Sequence, residues 1–301
     1  MSELPSIIRR FKTDAEYRAD PGYNWSRLKA GMPDSLYEGA HTSMAHLRTV
    51  LERTEPRADK PAFAFGRLVH TMTLEPELIE STYLVTEETD KRRKAYKEDK
   101  ARAEEQGLEI VTRADYDRAH NISAAVHNNP EWRERSGGAT VEVGMAVDDP
   151  LYNMRLKGKY DLLTQDGVMV DLKTTSSLRR RDIERTIAQY HYHVQMALYW
   201  RILRMAWSEY NEFPTRMAWL FVCTSAPHET VWVDASESMV EAATIACDQL
   251  LSDVSNARAL NSWATLHPTG RMVAELPPWA MPATTSISPL PPTLLDVSKS
   301  L

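Results

Sequence analysis

The chain has 301 residues, of which 43% are apolar and 26% charged, a composition typical of a soluble globular protein with a sizeable core. No apolar run approaches the roughly 18 residues of a membrane span. Residues 1–14 lack an apolar signal core, so we expect a bacterial-type cytoplasmic protein. The net charge of −6 weighs weakly against nucleic-acid binding. The two cysteines exclude a disulfide framework and an iron–sulfur cluster.

The predicted elements begin with mostly helical structure over residues 23–51, with Ser26 as a possible N-cap, and a second helix over 64–78. The charged stretch 81–109 lacks apolar periodicity and predicts a mobile excursion, with a helix over 91–105. The elements predicted after it are a helix over 114–128, a strand over 140–147, a hairpin over 155–174, a helix over 183–210, strands over 217–224 and 230–233, and a helix over 238–257. This order predicts an α/β (α+β) fold with a mixed central sheet flanked by helices.

The predicted hairpin carries the strongest chemical signal, because a Gln-Asp-Gly turn joins its two alternating apolar runs. If residues 165–167 form a three-residue loop, Asp161 stands directly opposite Asp171. Facing carboxylates repel each other, and a cation between them removes the repulsion. Lys173 shares the face of Asp171 and can hold a phosphate or an attacking water. The pattern therefore predicts a metal-and-lysine centre that cleaves phosphodiesters, with a salt-bridged surface hairpin as the alternative.

Five short motifs follow one another in a recognisable order. They are GRLVH at residues 66–70, Glu142, GKYDLL at 158–163, VDLKT at 170–174 and YHVQMALY at 192–199. This series resembles the PD-(D/E)XK nucleases, and within them the exonuclease VIII (RecE) type of phages and prophages. The resemblance covers residues 21–263 and implies a restriction-endonuclease-like fold. One departure is Asp171, where many relatives carry Glu, and both residue types bind magnesium.

Phosphodiester hydrolysis requires a nucleophile and charge neutralisation, which two metal ions about 4 Å apart can supply. Oxygen ligands with few carboxylates suit Mg²⁺, and Mn²⁺ can substitute for it. We therefore predict Asp161 and Asp171 as metal ligands, with the backbone carbonyl of Leu172 as a third ligand. Lys173 is predicted to hold the attacking water or the phosphate near the metals.

The resemblance implies roles for four more residues. His70 would approach the second metal ion, and Glu142 would bind a metal or its water. Gln195 would bond near Lys173 or a phosphate, supported by Tyr199, which is four residues away and so on the same helical face. The structural alternatives are a packing histidine, a solvent-facing glutamate, an exposed glutamine and a core tyrosine.

Two basic clusters are candidates for contact with nucleic acid. Arg179, Arg180 and Arg181 follow the Asp171 strand and are predicted to bind DNA at the edge of the site. Residues 91–102 contain seven basic and two acidic residues, which indicates either a solvated helix face or a DNA contact.

The domain prediction has three parts: an N-terminal extension over 1–20, a nuclease domain over 21–275 and a tail over 276–301. The tail holds six of the 17 prolines together with many Ser and Thr residues, so its composition predicts disorder.

The predicted function is that of a magnesium-dependent exodeoxyribonuclease. The resemblance implies degradation of linear duplex DNA from 5′ ends to leave 3′ single strands for recombination in a bacterial or phage-infected cell. It also implies a single-strand annealing partner and a ring-like homo-oligomer. The lack of a long apolar run leads us to expect no membrane association. One alternative is a RecB-type nuclease of single strands or flaps, and a second is a non-catalytic DNA-binding recombination scaffold.

Overall fold

The computed structural model describes residues 8–11, 13–32, 36–37, 40–41, 43–53, 61–206, 216–277 and 280–281. Its strands are β1 (Ile8–Arg10), β2 (Leu36–Tyr37), β3 (Ala40–His41), β4 (Tyr83–Thr86), β5 (Glu109–Thr112), β6 (Thr140–Asp149), β7 (Met154–Leu163), β8 (Val168–Thr175), β9 (Arg216–Cys223) and β10 (Thr230–Asp234). Its helices are α1 (Asp14–Ala19), α2 (Trp25–Leu28), α3 (Met44–Glu52), α4 (Pro61–Leu74), α5 (Ile79–Thr82), α6 (Lys94–Gln106), α7 (Arg113–Asn128), α8 (Pro130–Arg135), α9 (Arg180–Gln189), α10 (Tyr192–Ala206) and α11 (Glu237–Ala259), with single 3-10 turns at Lys29–Gly31 and Pro76–Leu78.

A six-stranded mixed sheet in the order β1-β6-β7-β8-β9-β10 organises the molecule. In this sheet β1 pairs with β6, β6 with β7 and β7 with β8, all antiparallel. β8 and β9 pair parallel, and β9 and β10 pair antiparallel. The parallel step requires a crossover, and α9 and α10 provide it. The predicted fold class, a mixed sheet flanked by helices, is confirmed.

Strand alternation sends neighbouring side chains into two separate cores, one on each face of the sheet. On one face, Met169, Trp219 and Phe221 pack with residues of α10 and α11. On the other face, Val170 and Leu220 pack with residues of α4 and α7. Strands β8 and β9 are therefore covered on both sides, as expected for the centre of such a sheet.

The β7–β8 hairpin turns where the sequence predicts it. The Thr164 backbone N–H donates to the Val168 carbonyl at 3.0 Å, and the Gly167 N–H donates to the Thr164 carbonyl at 3.2 Å. Gly167 adopts a φ of 78°, a left-handed conformation that glycine accepts without a Cβ clash. Leu162 pairs with Val170, which is the register predicted from the turn.

Two helical predictions are wrong in detail. The helix predicted over 183–210 is broken after Gln189, the last residue of α9, and His191 takes a φ of 53° before α10 begins; residues 207–210 lie outside the described residues. The segment 23–51 is divided into short pieces by the β2–β3 pair. Its helix α2 is capped by Asn24, whose side chain accepts from the Arg27 N–H, and Ser26 instead donates to Asn24.

The charged stretch 81–109 is expected to be a mobile excursion with one helix. The structure has that helix, as α6, and also two strands that the sequence does not predict. Strands β4 and β5 pair in parallel, and α6 connects them. Apolar periodicity was too weak to predict them because each strand has only four residues. The basic cluster over 91–102 is largely neutralised by local ion pairs, which are Arg92–Asp90, Arg93–Glu88, Lys94–Glu98, Lys100–Glu104 and Arg102–Asp99.

The two ends of the chain differ. Strand β1 extends the sheet, and the buried Asp20 binds Arg155 at 2.8 Å, so the segment predicted as an extension contributes to the fold. Chain contacts separate a compact unit over residues 1–265 from a second over 266–301. Most of the predicted tail lies outside the described residues, and its disorder stays a prediction. Among the described helices, none combines the length and apolarity needed to cross a membrane.

Candidate active site

Three acidic residues face one another across adjacent strands. The neighbours of Glu142 on β6 pair with Leu162 and Tyr160 on β7, so Glu142 lies opposite Asp161. Leu162 in turn pairs with Val170 on β8, and the next position in the same register sets Asp161 opposite Asp171. The β7–β8 ladder stops before that point, since Asp161 Oδ2 accepts a 2.8 Å hydrogen bond from the Leu172 backbone N–H. The two strands therefore separate at the site, and a side-chain carboxylate takes the place of a backbone acceptor.

The backbone of Glu142 is strained. Its φ is 48°, a left-handed conformation in the middle of a strand, and the β6–β7 register is the same on both sides of it. Non-glycine residues in such conformations cost on the order of 1–3 kcal/mol and cluster at functional sites. Only 10% of the Glu142 side chain is exposed, and its Oε2 lies 2.5 Å from Lys159 Nζ.

His70 reaches the carboxylates from α4. Its Nδ1 lies 3.5 Å from Asp161 Oδ2 and 3.9 Å from Glu142 Oε1. One ligand atom from each of the three residues lies within 4.8 Å of the others, a spacing that could hold a metal ion. The pKa of His70 is lowered, mainly because the ring is buried. The charge of Glu142 and a hydrogen bond to the Leu172 backbone raise this pKa, but they do not outweigh burial. A neutral imidazole keeps the lone pair that a metal ligand needs.

Asp171 belongs to a neighbouring group with different partners. Its Oδ2 lies 2.6 Å from Lys173 Nζ, and its Oδ1 accepts from Gln195 Nε2 at 3.3 Å. The predicted pair of Asp161 and Asp171 is thus divided between two clusters, one around His70 and one around Lys173. The clusters remain in electrostatic contact, because the charge of Asp171 raises the pKa of Asp161.

Lys173 is held as a cation by its surroundings. Burial alone would lower its pKa, but the charges of Asp171 and Asp161 outweigh burial and raise it. Its Nζ also lies 3.5 Å from Gln195 Oε1 and 4.5 Å from the centroid of the Tyr192 ring. A largely buried ammonium whose pKa is raised by neighbouring carboxylates suits the binding of a phosphate oxygen.

Gln195 and Tyr199 lie on one face of α10, as predicted. Gln195 Nε2 also lies 3.3 Å from the Tyr199 hydroxyl, to which it can donate, and the Tyr160 hydroxyl donates to the Tyr199 carbonyl at 3.0 Å. The Tyr199 ring passes over Gly158, where an added Cβ would come within 2.8 Å of Tyr199 Cδ1. Glycine at this position is therefore needed for α10 to approach β7 so closely.

The carboxylates carry an electrostatic penalty that a cation would relieve. Burial and the nearby Asp161 raise the pKa of Glu142 to about 7. Burial and the charge of Asp171 likewise raise the pKa of Asp161 to about 7. Two oxygen-donor side chains and one neutral imidazole in this setting fit a divalent metal ion.

The arginines predicted to bind DNA lie outside this buried cluster. Arg180 and Arg181 are exposed at the start of α9, where Arg180 Nε pairs with Glu184 at 2.8 Å. Arg179 lines an open cleft of about 640 Å³ at the ends of β8 and β9. Their contact with DNA stays a prediction.

The sequence reasoning missed Lys159 and Gly158, although both stand in the GKYDLL motif. Lys159 lies two residues before Asp161, so strand alternation places it on the same face, and this signal could have found it. The need for Gly158 depends on the approach of α10, a tertiary contact that strand spacing does not reveal.

Comparison with known proteins supports the same family. The model of a PDDEXK-like domain of unknown function (DUF3799) matches residues 34–267. No curated protein matches the chain. A solved structure of a candidate exonuclease from Eubacterium rectale is 14% identical, with a TM-score of 0.57 over 97% of this chain and 99% of that one, and shows the fold. The structure of SSO0001, 12% identical over 62% of this chain and 85% of that one, has a TM-score of only 0.26 and carries no argument. The chain belongs to the DUF3799 family of PDDEXK-like domains, and its predicted membership of the PD-(D/E)XK nucleases is confirmed.

Proposed function

We propose that the protein is a magnesium-dependent exodeoxyribonuclease that degrades linear duplex DNA from its 5′ ends. The observation that carries the proposal is the cluster of His70, Glu142 and Asp161 beside the ion pair of Asp171 and Lys173. The first three side chains would hold a divalent ion, and Asp171 is proposed as a further ligand. The Leu172 carbonyl is proposed as a further ligand, since the Leu172 backbone is within hydrogen-bonding reach of His70.

When bound, Mg²⁺ supplies charge neutralisation and an activated water, with two ions as the proposed number. The chain's own residues orient the substrate. Lys173 would bind a non-bridging phosphate oxygen, and Gln195 would keep the ammonium in position through its 3.5 Å contact. The Tyr199 hydroxyl accepts a hydrogen bond from the Gln195 amide, which restricts the orientation of Gln195 and so of the Lys173 ammonium that it contacts. Positioning of this kind contributes substantially to phosphoryl transfer.

The exonuclease assignment rests on two supports of different kinds. One is the resemblance of the five motifs to the exonuclease VIII type, and the other is the description of the structural neighbour from Eubacterium rectale as a candidate exonuclease. The same resemblance leads us to propose a homo-oligomeric ring, a single-strand annealing partner and action in the cytoplasm. Sedimentation analysis of the purified protein tests the ring, and co-purification with a neighbouring annealing protein tests the partner.

Digestion of end-labelled linear duplex, compared with closed circular duplex, tests the proposed activity. With Mg²⁺, the linear DNA should lose its 5′ label first, while the circle stays intact. Lys173→Ala should be inactive in the same assay. Nicking of the circle would instead indicate an endonuclease, and preference for a single strand or flap would favour the RecB-type activity. Absence of cleavage with both Mg²⁺ and Mn²⁺ would support a scaffold.

A further inference from the structure

The junction between α9 and α10 exposes an aromatic ring close to the proposed catalytic lysine. Tyr190 follows the last residue of α9 and is 56% exposed. Its ring stacks on that of Tyr192, with centroids 5.6 Å apart and planes inclined by 23°. Tyr192 stacks against the Tyr190 ring, and more than half of the surface of Tyr190 is still exposed to solvent.

The stacked pair connects the protein surface with Lys173. The Tyr192 ring centroid lies 4.5 Å from Lys173 Nζ. Together with the 5.6 Å between the two rings, this places the Tyr190 ring within about 10 Å of the ammonium. A base and the phosphate of its own or the adjacent nucleotide span a distance of this order, so one nucleotide can contact both groups.

Helix α9, which precedes Tyr190 in the chain, carries exposed arginines. Its buried face carries Ile183 and Ile187, which fixes the exposed side. Arg181 and Arg185 are exposed and lie four residues apart on that side. The helix is about 15 Å long at 1.5 Å per residue, so both arginines lie within about 15 Å of Tyr190 along the helix axis. Exposed cationic side chains in the neighbourhood of an aromatic ring are a combination found in proteins that bind single-stranded nucleic acid.

We propose that Tyr190, backed by Tyr192, stacks against an unpaired base of the DNA strand whose phosphate is held at Lys173. This inference rests on the proposed nuclease function. In a duplex, the faces of internal bases are covered by their neighbours, so the ring would accept only a base freed at an end. Stacking is independent of base identity, because every base has a π-face. The pair would therefore select unpaired ends without selecting a sequence.

Fluorescence of 2-aminopurine tests this stacking directly. The probes are single-stranded and duplex oligonucleotides with 2-aminopurine at one terminus, prepared for each end and bound to the full chain carrying Asp161→Asn. Stacking should quench the fluorescence at one of the two ends. Tyr190→Ala should remove the quenching and weaken binding about five- to tenfold, or about 1–1.4 kcal/mol, which lies at the lower end of the range for base stacking.

Three matched variants separate stacking from local damage. Tyr190→Phe keeps the ring and should restore quenching and affinity, whereas Tyr190→Leu keeps bulk without an aromatic face and should behave like Tyr190→Ala. Gln189→Ala, at the neighbouring exposed position, should match the parent protein. Equal quenching and affinity in Tyr190→Ala and the parent would overturn the proposal, as would a loss in Tyr190→Phe as large as in Tyr190→Leu.

A cleavage assay with protein that retains Asp161 separates failure of the stacking proposal from failure of the nuclease proposal. If wild type fails to cleave DNA but the quenching pattern holds, the nuclease proposal fails and the stacking site stands. If Tyr190→Ala cleaves single-stranded and duplex ends with unchanged KM, the stacking site fails and the nuclease proposal stands. Absence of any DNA binding would overturn both.

Discussion

Replacing Asp161 with asparagine should stabilise the metal-free protein at neutral and alkaline pH, although it removes a proposed metal ligand. Burial and the charge of Asp171 raise the pKa of Asp161 from 3.8 to about 7 in the folded state. Between these values the folded protein retains a proton that the unfolded chain has released. The free energy of unfolding therefore falls as the pH rises through this interval.

The magnitude follows from the difference between the two pKa values. A difference of about 3 corresponds to roughly 4 kcal/mol of lost stability once the pH exceeds 7. Asparagine carries no charge and avoids this cost, and its carbonyl can still accept the hydrogen bond from the Leu172 N–H. The free energy of unfolding of Asp161→Asn should thus equal that of wild type near pH 4 and exceed it by about 4 kcal/mol at pH 8.

Urea denaturation in EDTA between pH 4 and 8.5 measures this difference. Asp117→Asn is the matched control, because Asp117 is an exposed carboxylate on α7 whose oxygen lies 4.0 Å from the Arg113 guanidinium. It should show no pH-dependent advantage. Saturating Mg²⁺ should stabilise wild type and remove most of the advantage of Asp161→Asn. Parallel pH profiles for wild type and Asp161→Asn would refute the electrostatic reasoning.

Three other substitutions test the surrounding parts. Lys173→Ala should abolish most DNA cleavage while calorimetry still detects Mg²⁺ or Mn²⁺ binding, and loss of metal binding would mean that its role is wrong. Changing residues 179–181 to Ala should lower the log–log salt slope of DNA binding by up to about 2.7 if each arginine meets one phosphate; an unchanged slope would mark the triplet as a solvated turn. Gly158→Ala should destabilise the fold by about 1–3 kcal/mol in urea denaturation, because its methyl group meets the Tyr199 ring. If Gly158→Ala is as stable as wild type, Tyr199 and α10 can shift to accommodate the added methyl group at little cost.

The hairpin register could be predicted because it depends on local chemistry. The Gln-Asp-Gly turn fixes which residues face each other, and Leu162 does pair with Val170. The separation of the strands beyond that pair could not be predicted. It depends on Asp161 accepting from the Leu172 N–H and on His70 approaching from α4, a helix distant in sequence.

The break between α9 and α10 was missed for a related reason. Apolar residues continue at helical spacing through the junction, so periodicity alone predicts one helix. The left-handed conformation of His191 interrupts it, although neither glycine nor proline marks the position. The parallel pairing of β4 with β5 was equally hidden, since four-residue strands become recognisable only beside a partner.

The β4–α6–β5 segment offers a position for engineering. Its strands pair with each other, and most of the basic side chains around α6 are matched by acids a few residues away. The end of α6 at Gly107 is exposed, and no other atom lies within 4 Å of where a Cβ would be. A fluorescent domain inserted there would disturb few contacts with the rest of the chain. The protein could then be followed by fluorescence in living cells.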